Sequence, residues 1–68
     1  MKVVLTSGYC EPPLEVIVKC NYTFYNEATH ELRMYNKHGK KKTLIRVAII
    51  DDWRSIKIID KGVEHIIK

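Results

Sequence analysis

The chain has 68 residues, a formal charge of +4, and ordinary apolar and charged fractions of 46% and 29%. That length makes one domain, residues 1–68, with a single small core and little room for a deep catalytic cleft. The composition excludes a disordered chain, and the charge favours anionic partners: nucleic acid, a nucleotide or an acidic protein surface.

Lys2 to Thr6, rich in Val and Leu, reads as a short first strand. The apolar run at this end is three residues, against the roughly 7–15 of a secretory signal. No stretch approaches the roughly 20 apolar residues of a membrane-spanning helix. A cytoplasmic location with no membrane association is therefore expected. Ser7 to Pro13 is a loop, because Gly8 frees the backbone and Pro12-Pro13 blocks helix and ladder hydrogen bonds.

Leu14 to Phe24 follows, and it alternates in period two, the pattern of a half-buried strand. Leu14, Val16, Val18, Cys20, Tyr22 and Phe24 share the face assigned to the core. Cys20 is thus a buried thiol. The sharper alternative pairs it with Cys10 as a disulfide or redox couple, which a reducing compartment disfavours. Tyr25 to Thr29 is a turn, and His30 to Asn36 resumes extended structure.

Opposite residues of an antiparallel pair lie on one face, so burial constrains the registers. A three-residue turn, Asn26-Glu27-Ala28, places Tyr22 opposite Leu32 and Cys20 opposite Met34. A tip at His38-Gly39 places Met34 opposite Thr43, Leu32 opposite Ile45 and His30 opposite Val47. The outer face of this meander then sets Lys19 beside Tyr35 and Lys42, Arg33 beside Leu44, and Glu31 beside Arg46. Ile49, Trp53 and Ile56 have helical spacing around Asp51-Asp52, so a short helical turn near 49–54 is expected. Arg54 to Asp60 alternates again, Asp60-Lys61-Gly62 signals a turn, and Val63 to Ile67 reads as a final strand. The expected class is all-β, a small antiparallel barrel or curved meander of five to six strands. The layout resembles SH3-like, OB-like and pleckstrin-like small barrels, a resemblance of strand pattern that implies no function.

No Gly-rich phosphate loop, nucleophile elbow or His-Glu-x-x-His motif is present. His30, His38 and His65 lack metal-ligand spacing. The expectation is therefore no enzyme, no cofactor and no metal, but a small binding module, regulatory or inhibitory, that acts on another protein. Trp53 is its candidate protein contact, although the sole Trp of so small a chain is also wanted for packing. The alternative is a nucleic acid or nucleotide held on the outer face by Lys19, Arg33, Tyr35, Lys42 and Arg46, cations around an aromatic ring. The basic hairpin tip, Lys37, His38, Lys40 and Lys41, adds an electrostatic anchor or simply a soluble turn. Domains this small often gain stability by self-association, so a homo-oligomer stays open.

Overall fold

The computed structural model describes residues 1–8 and 11–68; Tyr9 and Cys10, and with them the pairing of Cys10, lie outside the described residues. Among the described residues every strand pair is antiparallel. Seven strands run in the order β1 (Lys2–Thr6), β2 (Glu15–Lys19), β3 (Tyr22–Asn26), β4 (Glu31–His38), β5 (Lys41–Ile49), β6 (Ser55–Asp60) and β7 (Val63–Ile66). A single 3-10 turn, Ile50–Asp52, separates β5 from β6, where a helical turn was expected. The strands form two sheets rather than one closed barrel, a four-stranded sheet β2-β1-β6-β7 and a three-stranded sheet β3-β4-β5. Strand number exceeds the expected five or six because the long strand is divided and the C-terminal segment pairs fully.

That division is the main correction. Leu14–Phe24 is not one strand of one sheet. Its first half pairs with β1, up to the bond from the Cys20 amide to the Met1 carbonyl at 3.2 Å. One residue later the Asn21 amide donates to the Tyr35 carbonyl at 3.1 Å, and the chain has joined the other sheet. Strands that switch sheets make the corners of two-layer β domains. Facing changes there. Val16 and Val18 point to the core with Cys20, but beyond the corner it is Thr23 and Tyr25 that pair beside buried Met34 and Leu32. Tyr22 and Phe24 turn outward, against the alternation that assigned them to the core.

The turn after β3 explains how. It spans four residues, 27–30, not three. The Asn26 carboxamide oxygen accepts from the Ala28 and Thr29 amides at 3.1 and 3.4 Å, and His30 closes the turn at φ 55°. Asn and His are among the side chains that tolerate such backbone settings. His30, expected in a strand opposite Val47, is an exposed turn residue 3.8 Å from Asp51.

The β4–β5 tip is also shifted by one residue, to Gly39-Lys40, with Gly39 at φ 61°. Between the Tyr35–Leu44 and Met34–Arg46 pairs Ile45 has no opposite residue, a β-bulge. Thr43, Ile45 and Val47, expected inside, are exposed instead. The β6–β7 turn, Lys61-Gly62, has both residues at positive φ, as tight hairpins require.

The core lies between the sheets. Val3, Leu5, Val18 and Ile56 come from one sheet, Leu32, Met34 and Ala48 from the other, and Cys20 and Ile50 from the connections. Val16, Trp53 and Ile58 pack against it. Trp53 thus takes its packing role, and the Arg46 guanidinium lies 5.8 Å from its ring centre.

Two consequences are testable. The Asn21 side chain imitates a strand, accepting from the Lys37 amide at 2.6 Å and donating to the Lys37 carbonyl at 2.9 Å. Asn21→Ala is expected to cost about 1 kcal/mol, since both bonds are solvent-exposed. It should speed hydrogen exchange at the Lys37 amide while leaving β1 and β6 amides unchanged. Cys20 is a free, buried thiol, and burial pushes its pKa up. As pH rises through the ordinary thiol range the unfolded chain loses this proton first, so the native state is favoured below that range and loses stability above it. Urea midpoints should therefore fall more steeply for the wild type than for Cys20→Ala between neutral and alkaline pH.

Candidate binding face

β3, β4 and β5 turn one side to the core and the other to solvent. On the solvent side the registers place side chains in rows. Asn26, Glu31 and Ile49 form one row; Phe24, Arg33 and Val47 the next; then Tyr22, Tyr35 and Leu44; then Lys37 and Lys42 at the hairpin. Phe24 is 48% exposed, Leu44 51%, Val47 36% and Ile49 38%. A solvated sheet face normally alternates these positions with polar residues. Here the apolar residues of a half-buried strand are present on the side that no layer covers.

Arg33 is central. Its neighbours across the sheet are Phe24 and Val47, and its Nη2 lies 3.4 Å from the Glu31 carboxylate. Its Nε is buried with no hydrogen-bond partner. The Tyr35 hydroxyl, then the Glu31 carboxylate, stabilise the guanidinium and raise its pKa, so the residue is a permanent cation. An arginine between two apolar side chains offers a planar fork of donors to a carboxylate.

Toward the hairpin the face becomes basic and aromatic. The Tyr22 and Tyr35 rings are 5.8 Å apart. The Lys42 ammonium lies 4.6 Å from the Tyr35 ring centre and 5.7 Å from that of Tyr22, with Lys37 5.3 Å from Tyr22. The lysine ammonium groups thus sit over the rings, and Tyr35 is only 9% exposed. Beyond them Lys37, His38, Lys40 and Lys41 are exposed on a hairpin that is solvated from Asn36 to Val47.

The structure keeps Arg33, Tyr35 and Lys42 together as the sequence indicated. It removes two others. Lys19 belongs to the four-stranded sheet, opposite Lys2. Arg46 stands on the core side of β5, because the bulge at Ile45 reverses facing there. Phe24, Tyr22, Val47 and Ile49 were missed, since alternation alone assigned or left them to packing. Asn21 was the available signal, a residue depleted in strands in the middle of an apolar alternation. No protein-family model matches the chain, and neither the curated proteins nor the solved structures contain a match.

Proposed function

We propose that the domain is a non-enzymatic binding module of regulatory or inhibitory kind, and that its contact surface is the outer face of β3–β4–β5. Its partner is a protein surface that presents acidic side chains around an apolar anchor. The observation that carries this reading is the exposed row Phe24–Arg33–Val47, extended by Leu44 and Ile49. Contiguous apolar exposure of this kind on a small domain is the mark of an interaction site, and Arg and aromatic residues dominate interface energetics. Lys37, Lys40, Lys41 and Lys42 along one side favour an acidic partner and accelerate its approach. Trp53 is not part of this surface, since it packs on the core.

Nucleic acid or a nucleotide on the same face is the second reading, favoured by the cluster of lysines around Tyr22. Tyr35 counts against base stacking, because its ring is buried and capped by Lys42.

Selection of a random peptide library on the immobilised domain separates the two. Protein recognition predicts enrichment of sequences that combine Asp or Glu with aromatic or aliphatic residues, lost when Phe24→Ala or Arg33→Glu replaces the wild type. Peptides that persist on both variants would place the contact elsewhere. Salt-sensitive binding of single-stranded oligonucleotides, with no peptide enriched, would favour the second reading.

A further inference from the structure

A second surface lies at the corner where the chain passes between sheets. Lys2 and Lys19 are directly opposite in the β1–β2 pair, and Ile59 continues their row. Like charges so placed repel, and among the described residues neither lysine has a carboxylate within ion-pair distance. Beside them lies a shallow, open cleft of about 440 Å³, lined by Met1, Lys2, Lys19, Cys20, Asn21, Asn36 and Ile59. Its volume falls within the range of small-ligand sites, roughly 300–1,000 Å³. Asn21 is already committed to the Lys37 backbone. Asn36 makes no side-chain hydrogen bond among the described residues, so it is the free amide of the cleft.

We infer that this cleft binds a phosphate monoester carried on a partly apolar body, for which a nucleoside 5′-monophosphate is the probe. Two lysines at directly opposite backbone positions bring two cations to one end of the sheet, which suits a dianionic phosphate better than a single carboxylate. Met1 and Ile59 supply apolar contact for the body, and the Asn36 carboxamide offers one donor side and one acceptor to its polar edge. Binding also removes the repulsion between Lys2 and Lys19. This site is separate from the outer face of β3–β4–β5, and neither reading depends on the other.

Titration of the full chain with adenosine 5′-monophosphate, followed by amide chemical shifts, tests the inference. Saturable shifts are expected at Lys2, Lys19, Cys20 and Asn36. Inorganic phosphate should perturb the lysines more weakly, and adenosine should leave them unmoved. The Lys2→Gln, Lys19→Gln double variant should weaken the nucleotide by about tenfold or more, as loss of paired charge–charge contacts does. Without ligand the same variant should melt no lower than the wild type, because a repulsion has been removed; that measurement separates lost binding from lost fold. Shifts centred on Lys37 to Lys42, equal affinity for adenosine, or unchanged affinity in the double variant would each overturn it.

Discussion

Ile56→Ala is expected to leave little folded protein at room temperature. Ile56 has no exposed surface and sits in register with Leu5, which is equally buried. Removing a buried Ile side chain costs about 2–5 kcal/mol through lost transfer energy and the cavity left behind. A core of this size rarely supplies more than about 3–5 kcal/mol of net stability. The loss therefore consumes most of the margin. The backbone adds to the effect, since the Ile56 carbonyl accepts from the Ile67 amide at 2.9 Å and the Lys68 amide at 3.2 Å. Loosening Ile56 thus frees the C-terminal residues that follow β7 as well. Ile66→Ala is the contrast: that side chain is 72% exposed, and its truncation should shift stability by less than about 0.5 kcal/mol. Denaturant unfolding and amide dispersion of the two variants check this directly. A cooperative Ile56→Ala domain with an unchanged midpoint would mean that the sheets do not share one core.

The same distribution of burial shows what could be read from sequence. β1 was legible in full, because Val3, Val4 and Leu5 are bounded by a charged residue and a Gly-containing loop. The last hairpin was legible for a local reason too: Lys61-Gly62 encodes its own geometry. The 3-10 turn at Ile50–Asp52 follows from adjacent carboxylates at a break in alternation. The long strand failed for a non-local reason. Period-two patterning reports that one face differs from the other, and not which sheet supplies the cover. Leu14 to Phe24 keeps its alternation across the corner while the core changes sides, so Tyr22 and Phe24 carry apolar side chains outward. The bulge at Ile45 was equally invisible, because an extra residue in one strand leaves no mark on composition. Part of the candidate face survived both errors. Arg33 and Tyr35 are on one strand two residues apart, so they share a face under any register. Lys42 lies on the tip side of the bulge and keeps that face. Lys19 and Arg46 lay beyond the corner and beyond the bulge, and both were misplaced.

Because Phe24 is aimed outward by that change of facing, its truncation should damage binding far more than folding. Phe24→Ala removes a half-exposed ring from the middle of the candidate face. A central aromatic anchor typically contributes about 2 kcal/mol or more to an interface, which corresponds to a loss of roughly 30-fold in affinity. The cost to the free domain should stay below about 1 kcal/mol, since the side chain is not part of the core. Arg33→Glu should act as strongly through a different route, by placing a second carboxylate beside Glu31 and repelling the acidic partner. Lys40→Gln and Lys41→Gln should behave otherwise, slowing association and flattening its salt dependence while leaving dissociation almost unchanged. Surface-immobilised kinetics with a selected acidic peptide resolves these outcomes. A pattern in which the lysines at the tip dominate affinity and Phe24→Ala is silent would move the contact off the sheet and onto the hairpin, and would favour a polyanion over a folded protein partner.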